Sequence, residues 1–235
     1  MGLNVVVGVF SEFDEDESQE FAEDFAVVRR ELAAVGFPDW QEPELGEDEV
    51  VVQDMYGYSG LHHLRRVAAH LAASGEMPAS AGEDPERDPV LMAAYQNGPV
   101  RFLATGGTSV EHNGPAGSAG GLNGGRRAFD HLIQHSDADG YYVPVDFVPV
   151  LRGDDLLGGY LGSSQRLLEE CLLIAEALDL SIDLDPESDE VQRAVDGEVE
   201  EPATWQRHGI ASYTCLQLIG AAWHSIRTGA AIAFC

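Results

Sequence analysis

The feature that most restricts how this chain can fold is the way its apolar residues change period along the sequence. Short apolar runs have strand length: NVVVGVF at 4–10, EVVVQDM at 49–55, VRFLAT at 100–105, the aromatic run that ends at Phe147, and AAIAF at 230–234. Between them apolar residues recur every three or four positions. One stripe is Phe21, Phe25, Val28 and Leu32; a second is Leu61, Leu64, Ala68 and Leu71; a third runs from Leu167 through Cys171 and Ala175 to Leu178. The longest, from about 203 to 227, holds Trp205, Ile210, Leu216, Ile219 and Trp223, with Gly209 and Gly220 as places for a bend or close packing.

Strand-length runs that alternate with amphipathic stripes need a sheet with helices laid on it. The expectation is an α/β or α+β fold, a single mixed β-sheet packed with several helices through irregular connections. The length suits one globular domain over residues 1–235, with a glycine-rich loop at 106–125 and an acidic excursion at 183–201. Local signals punctuate the helices. Gly36 and Pro38 stop the first, Ser59 caps the second, and Asn97-Gly98 ends a short one at 89–96. Ser163 or Ser164 caps the helix that follows it and is no nucleophile, since the G-x-S-x-G elbow is absent.

Charge excludes more than it identifies. The chain has 41 acidic residues against 13 basic ones, a formal net charge of −28, and all 13 are arginine. A surface this acidic repels phosphate backbones and anionic bilayers, so neither nucleic acid nor membrane is an expected partner. Without lysine there is no P-loop, no pyridoxal Schiff base and no protein-kinase chemistry. Cys171, Cys215 and Cys235 have no metal-knuckle spacing and suit a reducing cytosol. The N-terminus turns acidic at once, unlike a secretory signal, and the expected localisation is cytoplasmic.

One stretch carries candidate chemistry. RRAFDHLIQHSDADGYYVPVDF at 126–147 places His131 and His135 four residues apart on a predicted short helix, with Asp137 just beyond. That spacing suits a divalent metal, zinc or manganese, held by His131, His135 and Asp137. As a surface-facing pair, the two histidines could be replaced by alanine with the fold intact. Leu132 stands where a zinc peptidase has its glutamate, so a peptidase is excluded. His135, Asp137, Asp139, Gly140 and Asp146 also match part of a calcium-loop register, although Pro144 argues against an exit helix. No motif demands a cofactor. Arg65, Arg66, Arg126 and Arg127 are candidate anion-binding residues, the first two on a helix face shared with His63 and His70. Pairing with the protein's own carboxylates competes with that reading. His112, His208 and His224 are further histidines that could approach the same place.

Three functions remain. The first is an acidic cytosolic binding or inhibitory protein that engages a basic protein partner. It resembles immunity proteins in charge and size, not in sequence. The second is a metal-dependent hydrolase of a small phosphorylated or anionic substrate. The third is a salt-adapted structural or accessory subunit. Oligomeric state is left open.

Overall fold

The computed structural model describes residues 3–55, 57–82, 84–98, 100–103, 109–112 and 129–235. The strands are β1 (Asn4–Val7), β2 (Val51–Asp54), β3 (Val100–Leu103), β4 (Ser109–His112), β5 (Gly140–Val143), β6 (Val150–Arg152), β7 (Tyr160–Ser163) and β8 (Ile232–Phe234). Among the described residues they form one mixed sheet of eight strands in the order β2-β1-β8-β5-β7-β6-β3-β4. β5–β7 and β3–β6 are parallel, and the other neighbours are antiparallel. The helices among the described residues are α1 (Val9–Glu12), α2 (Glu15–Ala34), α3 (Gly57–Ser74), α4 (Pro89–Asn97), α5 (Asp130–Ile133), α6 (Ser164–Leu178), α7 (Asp189–Val195), α8 (Thr204–Arg207) and α9 (Gly209–Thr228).

The expected mixed sheet with helices is therefore what forms, and the register explains its two cores. Val6, Ala233, Tyr141, Leu161 and Leu151 lie side by side across five strands on one face. α2 covers that row with Phe25, Val28 and Leu32. Val7, Ile232, Tyr142 and Gly162 form the adjacent row on the opposite face, which α3, α6 and α9 cover. Burying each Val, Leu or Ile is worth about 1.5–3 kcal/mol, so this two-sided burial dominates the folding energy. Gly162 is required where it stands, because a Cβ there would lie 2.2 Å from the Tyr142 ring.

Several boundaries differ from the sequence expectation. The first strand stops at Val7 because Gly8, at φ 98°, turns the chain into α1. α3 starts at Gly57, which puts Ser59 inside the first turn and not at the cap. The acidic excursion contains α7, capped by Ser188. The long last helix is interrupted at His208. Gly209 lets α9 start hard against α7, since a Cβ there would sit 2.1 Å from the Ala194 carbonyl oxygen. Part of the expected glycine-rich loop is strand β4; its remainder lies outside the described residues, as do Arg126 and Arg127.

The connector before β2 is laced to β8 by two side chains. Trp40 Nε1 donates to the Gly229 carbonyl (3.1 Å), and Glu42 Oε2 accepts from the Ala231 amide (2.7 Å). Burial pushes Glu42 up to about 8, so it is mostly protonated at neutral pH.

Candidate functional site

The described part of the 126–147 stretch, from Phe129 on, packs into the core with Phe129, Leu132, Tyr141, Tyr142 and Phe147 buried. α5 is a single turn, so His131 lies within it and His135 lies past its end. Both imidazoles are buried. His131 Nδ1 accepts from the Ser163 amide (2.9 Å), and its Nε2 donates to the Val148 carbonyl (2.8 Å). These two backbone partners fix a neutral ring with its proton on Nε2. Burial pushes His131 down to about 4. The His135 ring stacks on Tyr142 at 4.0 Å and faces the carbonyls of Tyr141 (3.0 Å) and Ser136 (3.1 Å). Burial pushes it to about 4 as well, and a neutral ring with one proton donates to one of these at a time.

Asp137 is bonded to neither ring but to His62. Its carboxylate meets His62 Nε2 at 3.1 Å, and that hydrogen bond holds it at about 2 despite partial burial. The expected metal triad therefore does not converge. Both ring nitrogens of His131 are occupied by the backbone, and Asp137 is paired elsewhere. Among the described residues no group of three or more His, Cys, Asp or Glu side chains could hold a metal ion. The calcium register disperses too: Asp146 pairs with Arg166 (2.7 Å), and Gly140 opens β5.

Of the four candidate anion-binding arginines, the two that are described, Arg65 and Arg66, are engaged internally. Arg65 is 2% exposed; its Nε donates to the Leu132 carbonyl (2.7 Å), and Nη2 donates to those of His135 and Ser136 (both 2.9 Å). It caps the C-terminal end of α5, where carbonyls have no intrahelical partner. The other end of the same turn is capped by Glu170, which accepts from the amides of His131 (3.1 Å) and Leu132 (2.7 Å). Burial raises Glu170 well above the usual carboxylate range, and those two amides pull it back. Arg66 binds Asp88 (2.7 Å) and the carbonyls of Ser80 and Ala81. Both guanidinium groups are thus engaged by the protein's own carbonyls and carboxylate.

Asp88 is a residue the sequence argument passed over. It caps α4 through the amides of Val90 and Leu91, and it also binds Arg66 and His70. Burial opposes its charge, but those hydrogen bonds hold it at about 2. The Asp-Pro pair at 88–89, a cap followed by proline at the first helical position, was the available signal.

What the chain does present outward is carboxylate. Between Glu12 and Asp54 the sequence has sixteen acidic residues and two arginines; between Glu176 and Glu201 it has eleven and only Arg193. All eleven of the second set are exposed. In the first set Glu17, Glu20 and Glu23 of α2 are exposed, and Glu47, Asp48 and Glu49 form an exposed turn before β2. Tyr213 of α9 joins the two sets, since its hydroxyl contacts the Asp54 carbonyl (2.9 Å) and Glu187 (3.1 Å).

Beside the 47–49 turn, the C-terminal end of α9 leaves Trp223 54% exposed. The sequence pattern placed it with the core residues of the last helix. Upstream, Tyr213 and Gln217 of the same helix are covered through Glu187. His208 is buried and pushed to about 4, and His224 binds the Glu49 carbonyl. The His112 side chain lies outside what is described.

Among the described residues no helix is long and apolar enough to cross a membrane. A family model described as "Putative DNA-mimic protein" matches residues 1–234. No curated protein and no solved structure matches the chain.

Proposed function

The chain belongs to the DNA-mimic family over residues 1–234, and from that premise we propose that it occupies the DNA site of a DNA-binding protein with carboxylates in place of phosphates. The observation that carries this reading is the density of acid on exposed, ordered elements. On α2, Glu17, Glu20 and Glu23 are exposed, while Asp24 is half-buried and accepts from the Tyr141 hydroxyl (2.6 Å). At about 1.5 Å of rise per residue the three exposed carboxylates are ~4.5 Å apart along the axis. A single nucleic-acid strand carries one charge per ~3.4 Å, so the spacing on α2 is of the same order. The exposed carboxylates of 176–201 add a second field of the same sign.

The mechanism is competitive. A basic DNA-binding surface is steered to the carboxylates as it is to phosphates, and desolvated Arg–carboxylate pairs then hold it. A structured surface has an advantage over a disordered acidic tail, because less conformational entropy is lost on docking. The apolar faces of α2 and α7 fix their carboxylates to a rigid frame. Internal pairing supports the same reading, since Arg65 and Arg66 face inward and leave the exterior acidic.

Capture on immobilised chain from an extract of the source cell, followed by a DNA-displacement titration, tests the proposal. The expected partner binds DNA on its own, releases it as the chain is added, and associates more slowly as salt rises. A captured partner that keeps its DNA in the presence of saturating chain overturns the proposal.

A further inference from the structure

Gly220, Trp223, His224 and Arg227 occupy one face of α9 by their three- and four-residue spacing. With Ile226 they line a groove of about 480 Å³ that runs beside the edge strand β2. Gly220 forms its floor, with the Gln53 amide 3.2 Å from where a Cβ would stand. One rim is Arg227, exposed, with Nη2 3.0 Å from His224 Nδ1 and no carboxylate paired to it among the described residues. Next to the groove, reached through His224, is the turn of Glu47, Asp48 and Glu49, all three exposed. His224 joins the two, because its other ring nitrogen bonds the Glu49 carbonyl.

We propose that this groove is a homodimer interface, in which Trp223 packs against its counterpart and Arg227 of each copy pairs with the 47–49 carboxylates of the other. The patch has an aromatic centre, a cationic rim and an anionic turn beside it. A purely basic partner would meet Arg227, and a purely acidic one would meet Glu47, Asp48 and Glu49. A second copy turned by a two-fold axis offers each charge its opposite, the self-complementarity that an isologous interface requires. A central tryptophan is the side chain that most often carries binding energy in such a patch.

Two physical limits shape the dimer. Stable interfaces bury about 800 Å² on each partner, and one helix end with one turn provides little more than the centre of that, so association is reversible. Each copy also carries a formal net charge of −28, so long-range repulsion opposes the encounter. Salt screens that repulsion, and self-association strengthens as ionic strength rises. A basic partner drawn by the acidic surface responds to salt in the opposite direction.

Sedimentation velocity of the full chain over a concentration series, at low salt and at about 0.5 M NaCl, tests the proposal. The native chain shifts from monomer to dimer with concentration, more readily at high salt. Trp223→Ala weakens the dimer at least about 30-fold. Arg227→Glu and the double variant Asp48→Arg/Glu49→Arg each remain monomeric, and an equimolar mixture of the two associates again. A native chain that stays monomeric throughout, a dimer that weakens with salt, an unchanged Trp223→Ala dimer, or a mixture no more associated than its components overturns the proposal. Each of these results leaves the DNA-mimic reading standing, because displacement of DNA is measured separately.

Discussion

Replacing His131 by alanine tests whether this residue belongs to the core or to a metal site. The ring is 1% exposed and makes two backbone hydrogen bonds, from the Ser163 amide and to the Val148 carbonyl. Its removal leaves the buried Ser163 amide without a partner, at about 1–3 kcal/mol, frees the part-buried Val148 carbonyl, and opens a cavity beside Phe147. Some of that cost is recovered as the site relaxes, so the expected loss is about 3–5 kcal/mol at pH 7.5. pH supplies a second readout. Burial lowers the His131 pKa from 6.5 to about 4. Its stabilising contribution is therefore complete above pH 6.5 and is lost as pH falls towards 4. At about 1.36 kcal/mol per unit, the native protein loses about 2 kcal/mol through this residue by pH 5, and the variant loses nothing through it. Asp130 and Glu42, raised to about 7 and 8, work in the other direction: their contribution is present at low pH and lost as pH rises through those values. Both groups remain in both proteins, so the comparison subtracts them. Urea denaturation followed by circular dichroism should show the native-to-variant gap narrowing to about 1–3 kcal/mol at pH 5. No gap at pH 7.5, or the same gap at both pH values, refutes the reasoning.

Three further outcomes are expected. Arg65→Met leaves the carbonyls of Leu132, His135 and Ser136 unpaired and should cost about 3–5 kcal/mol in urea unfolding; a loss below about 1 kcal/mol would mean the guanidinium is dispensable. Gly209→Ala drives a methyl into the Ala194 carbonyl and should lower stability by about 1–3 kcal/mol, whereas Gly197→Ala, with φ 71° but open space around it, should cost less; equal losses would remove the close-packing argument. Thermal melts should rise with added salt as the net charge of −28 is screened, and a flat or falling series would show that self-repulsion does not limit stability.

The sequence alone determined the layers and the sign of the surface. A change of apolar period is a local property, so the runs around β1, β2, β3 and β8 and the stripes of α2, α3 and α6 were legible without any contact. The same holds for −28 and for the absence of lysine, which are sums over residues. What the sequence could not contain is which surface of a residue the rest of the chain would reach. His131 and His135 share a spacing with metal ligands, yet Val148, Ser163 and Tyr141, distant or across a turn, take their nitrogens. Arg65 looks like a free cation until the end of α5, about seventy positions away, supplies three carbonyls to it. Trp223 falls among the apolar residues of the last helix and is nonetheless exposed. Hydrogen-bond satisfaction is decided between elements, so tertiary structure turned His131, His135, Arg65 and Arg66 into packing and left the carboxylates on the exterior.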